Sequence, residues 1–381
     1  MKALFNGACL FQGGALTVAA SFMLQAFRDR SDLQWSFIVS RAIVDELKRL
    51  DADLPPDLNV FEVSPARNRK ARAKLRALEA TLQPDVVFTL FSPAYVRFQA
   101  PHLMGCGNSW VTNPTWAAYR TMRFPLGTAH WFLLTMYQSQ WMSLADAWVT
   151  QTETVRQGLH RRFGFPLDRI DVVSNTCDDN YLRNQAVQPF PRRDTKIRLL
   201  CFAAAYAHKN PMIAPRVAKR LEKLDPSLDF EFVLTLPEQS DVYRRVRKLS
   251  DSLGVAQRIA NLGPVPLADG PELYRSCHVS FLPTLLESFS ATYPESMAMG
   301  LPIVTSDLGF ARDVCRNAAL YYDYWDANAA AECILKLLTD RELWQSQIER
   351  GKAVLAELPN PSERYDQYAE CVRKLAERGR R

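Results

Sequence analysis

Short apolar runs alternate with longer stretches of helical period along the whole chain. Lys2–Asn6, residues 35–39 and 58–63, Val86–Leu90, His102–Cys106, Asp146–Gln151 and Ile170–Val173 read as strands. Near-continuous apolar runs are the mark of strands covered on both faces in a parallel sheet. Helical stretches lie between them, from about Ala15 to Arg28, about 41–50, Pro65–Leu82 and Thr152–Phe165, the last with a Gly164 stop. The second half repeats the alternation, with strands at Ile197–Ala203, Phe230–Leu236, Ile259–Leu262 and Ile303–Thr305. Strands separated by helices in this way predict parallel sheets. At 381 residues the chain is too long for one ordinary core. The proline-bearing stretch Gln185–Asp194 divides it into an N-terminal domain 1–185, a linker 186–196 and a C-terminal domain 197–360. A last helix, 361–381, is expected to return and brace the first domain. The fold class is α/β.

One stretch gives this pattern its chemistry: FLPTLLESFSATYPESMAMGLPIVT, residues 281–305. It leaves a strand, turns at Pro283-Thr284, passes Glu287 with the small residues Ser288 and Ser290, and enters a helix carrying Glu295. Gly300-Leu301-Pro302 stops that helix before the next strand. The unpaired amides and positive dipole end of a helix start suit a phosphate. Small side chains at Ser288 and Ser290 let the backbone approach a diphosphate. Two carboxylates repel that anion, so Glu287 and Glu295 are expected to accept hydrogen bonds from hydroxyls on either side of it. A nucleotide sugar offers such hydroxyls on its sugar and its ribose. For either Glu taken singly, the alternative is a structural carboxylate at a helix start or a solvated one.

Glu287-Ser-Phe-Ser followed by Glu295-Ser-Met-Ala-Met-Gly-Leu-Pro resembles the E-x7-E signature of family 4 glycosyltransferases. These are retaining enzymes with two Rossmann-like domains whose parallel sheets face across a cleft, the GT-B architecture. Serine stands at both usual glycine positions of the signature and again after the second Glu. The resemblance implies transfer of a sugar from a UDP- or GDP-linked donor to a glycan or lipid-linked acceptor, with retention and without a metal or cofactor. It places such an enzyme in cell-surface polysaccharide or lipopolysaccharide assembly. It assigns Lys209 to the donor diphosphate, Glu287 to donor-sugar hydroxyls and Glu295 to the ribose, with amides near Phe289 and Ser290 on phosphate oxygens. Gly13 and Gly14 match a Gly-Gly pair near the diphosphate. Two positions depart from the family. Ala204 stands where relatives carry an Arg, and Asn108 stands where many carry a His close to the reacting sugar. An amide holds a hydroxyl but does not act as a base near neutral pH. His208 reads as a packing or hydrogen-bonding residue that adds at most partial charge.

Composition narrows the rest. A net charge of +6 is too mild by itself to imply nucleic acid, and a 48% hydrophobic share with 23% charged residues is ordinary and does not indicate disorder. Eight scattered cysteines without C-x-x-C spacing argue against zinc and a disulfide framework, and favour a reducing compartment. The Gly13-Gly14 loop is not G-x-G-x-x-G, so a nicotinamide cofactor is not supported. Residues 3–27 lack charge, but Asn6, Gly7, Gln12, Gly13, Gly14 and Gln25 interrupt them, against a membrane span. Asp51-Ala-Asp53 follows an amphipathic helix and reads as a solvated loop. In Pro65–Leu82 an apolar stripe packs inward and six cations, Arg67, Arg69, Lys70, Arg72, Lys74 and Arg76, face outward. Near anionic lipid each cation gains about 1 kcal/mol; otherwise the face is merely solvated. The uncharged run 124–145, with Trp131, Phe132, Tyr137 and Trp141, reads as helical packing, an acceptor-side surface or a membrane-interface segment. The expected location is cytoplasmic, either free or peripheral on the inner face of the cytoplasmic membrane. Ala204 and Asn108 also motivate a rival, a silent nucleotide-sugar-binding subunit; another is an epimerase or hydrolase on the same fold.

Overall fold

The first sheet contains β1 (Lys2–Gly7), β2 (Gln34–Ser40), β3 (Asn59–Phe61), β4 (Val86–Thr89), β5 (His102–Cys106), β6 (Ala147–Thr150) and β7 (Ile170–Val172). The chain is seen in a computed structural model that describes residues 1–91, 93–122, 126–192 and 194–379. All pairs are parallel, in the order β3-β2-β1-β4-β5-β6-β7. Phe5 of β1 lies in register with Phe37 on one side and Phe88 on the other. Phe22, from the helix Ala15–Arg28, stacks on Phe5 with ring centroids 5.1 Å apart. Each such side chain removed from water stabilises the fold by about 1.5–3 kcal/mol.

This unit comprises residues 1–113, 129–175 and 359–381. The helix Pro361–Gly379 therefore returns to it, and Tyr365, Tyr368, Val372 and Leu375 join the core around Phe5 and Phe22. Arg364 is buried, with Nη2 donating to Ser21 Oγ at 2.8 Å and Nη1 to Asn175 Oδ1. A guanidinium taken out of water needs partners of this kind.

The second unit comprises 114–128 and 176–358. Its sheet contains β8 (Ile197–Cys201), β9 (Phe230–Leu234), β10 (Ile259–Asn261), β11 (Val279–Leu282), β12 (Ile303–Ser306) and β13 (Ala319–Tyr322). The order is β10-β9-β8-β11-β12-β13, again all parallel. Two expected boundaries shift. Residues 186–196 are not a free linker: Ala186 N donates to Ala298 O at 3.1 Å, and the buried Trp344 donates its indole N–H to Gln188 O at 3.2 Å. An indole N–H out of water needs an acceptor, and this strand of chain supplies it. The stretch 114–128, expected inside the first domain, groups with the second. Its helix Trp116–Thr121 packs on the turn Ala207–Lys209, and Arg245 Nη1 donates to Thr121 O at 3.4 Å.

The basic helix runs from Arg69 to Leu82 and is capped by Asn68, whose side chain accepts from Ala71 N at 3.0 Å. Arg67, Arg69, Lys70, Lys74 and Arg76 are exposed. Arg72 is not outward-facing, against expectation: it donates to Pro65 O (2.7 Å), Ala66 O (2.5 Å) and Tyr137 Oη (2.7 Å), with its guanidinium over Trp141. Loop carbonyls and aromatic faces outbid water for a flat, weakly hydrated cation. The inward stripe also holds a charge: the buried Glu79 accepts from the amides of Gln99 (2.6 Å) and Ala100 (3.0 Å). The helix Leu126–Ser139 buries Thr135 and leaves Phe132, Leu133, Met136 and Tyr137 exposed.

The helix Thr292–Ala298 ends in a Schellman motif, with Leu301 N donating to Ser296 O (2.9 Å) and Gly300 N to Met297 O (3.1 Å). Gly300 has φ +64°, and a Cβ there would sit 2.6 Å from Ala186 O. Gly300→Ala is expected to lower unfolding stability by about 2–4 kcal/mol through left-handed strain and overpacking, measured by urea denaturation.

Candidate active site

In the second sheet, strand succession reverses between the neighbours β8 and β11. Loops leaving the carboxyl ends of two such strands part to opposite faces, and ligands bind in the crevice between them. The loop after β8 carries Tyr206, His208 and Lys209; the loop after β11 carries Glu287 to Ser290. The two loops are bonded to each other: Leu285 N donates to His208 O at 2.8 Å, and Thr284 Oγ1 to the same oxygen at 3.5 Å. That contact brings Lys209 Nζ and Glu287 Oε1 into an ion pair, with side chains 17% and 16% exposed. Two residues far apart in sequence thus form one site.

Lys209 closes a single 3-10 turn, and Asn210 reverses the chain after it at φ +54°, a region Asn enters more readily than most residues. Asn210 is buried, and its Nδ2 has no hydrogen-bond partner among the described residues. Nothing in the pattern of apolar positions singles it out. His208 stacks on Tyr206 with centroids 5.5 Å apart. Burial pushes its pKa down to about 4, against the pull of Glu287, so it is neutral at pH 7 and adds no cation to Lys209.

Glu295 sits in the helix Thr292–Ala298 and is buried. Tyr274 Oη donates to its Oε2 at 3.0 Å. Burial raises its pKa to about 7, and the Asp178 carboxylate adds to the rise; Tyr274 and Lys209 oppose it. The helix that aims Glu295 is fixed from below. Ser296 Oγ donates to Ser280 Oγ of β11 at 2.8 Å, and Tyr293 Oη bonds Thr305 Oγ1 of β12 at 2.8 Å. The serine after the second Glu, a departure from the resembled signature, therefore pairs with a serine in the adjoining strand. Ser288, Phe289 and Ser290 are buried, and Ser290 Oγ bonds Thr292 Oγ1 at 2.8 Å.

The remaining candidates belong to the first unit. Gly13 and Gly14 are exposed after β1, Gly13 at φ +80°, and a Cβ at either would meet open space. Asn108, after β5, is engaged at both ends: Oδ1 accepts from Trp110 N (3.1 Å) and Nδ2 donates to Gln138 Oε1 (3.0 Å). Ala204 is exposed. Among the described residues no group of three or more His, Cys, Asp or Glu side chains is placed to hold a metal ion, and all eight cysteines are free.

The folded Glu295 carboxyl binds its proton more tightly than an unfolded one. Its contribution to stability is therefore full below the ordinary Glu range near 4.5 and is lost as pH rises through about 7. Urea unfolding across pH 4.5–8 is expected to show a loss approaching about 3 kcal/mol from this group, flattened in Glu295→Gln.

Residues 183–354 match the family model described as "Glycosyl transferases group 1". Among curated proteins, the D-inositol 3-phosphate glycosyltransferase of Thermobifida fusca (strain YX) is 26% identical over 210 residues, 52% of this chain and 48% of that protein. The chain thus aligns with about half the length of that relative. Among solved structures, Anabaena Alr3699/HepE in complex with UDP-glucose superposes with a TM-score of 0.71 at 14% identity, covering 98% of this chain and 100% of that one. WaaG, a glycosyltransferase involved in lipopolysaccharide biosynthesis, superposes with a TM-score of 0.64 at 13% identity, covering 98% and 99%. The chain has the GT-B fold, two Rossmann-like halves each with a parallel sheet. Lys209, Glu287 and Glu295 all lie inside the segment that matches the group 1 glycosyltransferases.

Proposed function

We propose that the chain moves a sugar from a UDP- or GDP-linked donor to a glycan or lipid-linked acceptor, with retention and without a metal, in cell-surface polysaccharide or lipopolysaccharide assembly. The observation that carries this reading is the Lys209–Glu287 pair at the switch point of the second sheet, inside the matched segment. A leaving nucleoside diphosphate develops negative charge as the glycosidic bond breaks. A fixed donor aimed at that charge is worth about 10²–10³ in rate, and Lys209 is assigned this role with the amides near Phe289 and Ser290. Glu287 takes donor-sugar hydroxyls and Glu295 the ribose hydroxyls; Gly13 and Gly14 are assigned to the diphosphate from the first unit. The acceptor attacks from the leaving-group face, and the phosphate takes its proton. That route asks for no side-chain base, which suits an amide at Asn108. The Anabaena neighbour was solved with UDP-glucose, and WaaG is a glycosyltransferase involved in lipopolysaccharide biosynthesis, which supports the donor and pathway class.

The same reading has the protein work at an anionic membrane surface. Phe132, Leu133, Met136 and Tyr137 expose apolar surface, and Arg72 bonds Tyr137 Oη, tying this helix to the one that bears Arg67, Arg69, Lys70, Lys74 and Arg76. Apolar area beside a basic face suits anionic lipid. Among the described residues no helix is long and apolar enough to cross a membrane.

Incubation of the purified protein with UDP- and GDP-sugars and a lipid-linked glycan should release nucleoside diphosphate. Tight donor binding without release would support a silent subunit instead, and free sugar without an acceptor would support a hydrolase. Because Glu287 competes with the diphosphate for Lys209, Glu287→Gln is expected to bind UDP about two- to fivefold tighter. It should nonetheless transfer roughly ten- to a hundredfold more slowly; calorimetry and turnover check both, and weaker UDP binding overturns the competition. Replacing Arg69, Lys70 and Arg76 by Gln should weaken binding to phosphatidylserine vesicles by about 1 kcal/mol per cation at low salt. Unchanged sedimentation with vesicles would leave that face merely solvated.

A further inference from the structure

A small cavity in the second unit is lined by none of the residues assigned to the donor. Trp116, Tyr119, Arg120 and Thr128 line about 250 Å³ of space. The helix Trp116–Thr121 is fixed at its start by Thr115, whose hydroxyl accepts from Ala118 N at 3.1 Å, and Thr128 Oγ1 donates to Tyr119 O at 3.4 Å. Trp116 is nonetheless 69% exposed. An indole offers a large flat face at low entropic cost, and leaving it in water at a concave site forgoes that gain. The Arg120 guanidinium lies over the Trp325 ring, 5.5 Å from its centroid, and Trp325 is itself 43% exposed. A guanidinium stacked through its face keeps its in-plane N–H fork for a carboxylate or phosphate. The volume is below the ~300–1,000 Å³ of a pocket for a whole drug-sized ligand, which fits one ring rather than a nucleotide sugar. The same helix packs on the turn that carries Lys209, so an occupant lies one helix away from that turn.

We propose that this cavity is an acceptor subsite for one sugar ring bearing a phosphate or a carboxylate, with the ring stacked on Trp116 and the anion held by Arg120. The inference rests on the transferase reading, because an acceptor presupposes a donor. The test is calorimetric titration of the UDP-saturated protein with glucose, galactose and mannose, with their 6-phosphates, with their uronates, and with inorganic phosphate. At least one 6-phosphate or uronate is expected to bind about tenfold or more tighter than its neutral sugar and than inorganic phosphate. The stronger of the two series identifies the anion. Arg120→Gln should abolish that advantage, Trp116→Ala should weaken neutral and anionic sugars alike, and Trp116→Phe should restore part of the binding. UDP affinity should stay unchanged in all three variants, which also shows that they fold. An anionic advantage that survives Arg120→Gln, inorganic phosphate binding as tightly as the sugar phosphates, or no sugar binding at all overturns the subsite. Failure of the wild type to bind UDP or GDP overturns the transferase reading itself, whatever the sugars do.

Discussion

A lysine and a glutamate, each shielded from most of the surrounding water, hold one another at the carboxyl ends of β8 and β11. Neither strand specifies the contact by its own side chains. The parallel pairing of β8 with β11, Val279 beside Leu199, sets the heights of the two loops, and the bond from Leu285 N to His208 O sets their spacing. An unpaired charge at this depth would be costly, and each residue serves as counterion to the other. Under the proposed function a diphosphate would replace the carboxylate at Lys209 and Glu287 would turn to hydroxyls. Affinity would then be a difference between two pairings, favouring a donor that brings both an anion and hydroxyls.

Glu295 is a different kind of carboxyl. It is buried, holds its proton up to about pH 7, and accepts from Tyr274. Its cost is borne by the scaffold beneath it, where Ser296 meets Ser280 and Tyr293 meets Thr305. These bonds aim the helix rather than the carboxylate itself. A buried carboxyl with a raised pKa on a helix held from below is what the proposed ribose-hydroxyl role would use.

Much of this was legible before any coordinates. Near-continuous apolar runs announced buried parallel strands, and Gly300 announced the helix stop, because burial and left-handed backbone both restrict residue type. The signature at 287–302 pointed to Glu287 and Glu295, and the same family resemblance, not spacing or periodicity, pointed to Lys209. Other features leave no such mark. Residues 186–196 and 114–128 are polar or mixed, and which unit they join depends on single acceptors such as Gln188 O and Thr121 O that any residue type supplies. Arg72 reads as one more cation on a helix face until Tyr95, Tyr137 and Trp141, distant in sequence, surround it. Glu79, which the apolar period of its helix does not single out, satisfies two loop amides. Periodicity reports which face of an element is apolar; it does not report what the polar groups will meet.

Asn108 brings these strands of argument together. Its amide is spent on Trp110 N and Gln138 Oε1, and an amide is no base near neutral pH. If the leaving phosphate takes the acceptor's proton, no base is required at that position, and Asn108 is left to a structural role. The burden of choosing the acceptor then falls on surfaces elsewhere. The exposed indole of Trp116, and Arg120 with its guanidinium over Trp325, are the groups that the proposed acceptor subsite would use.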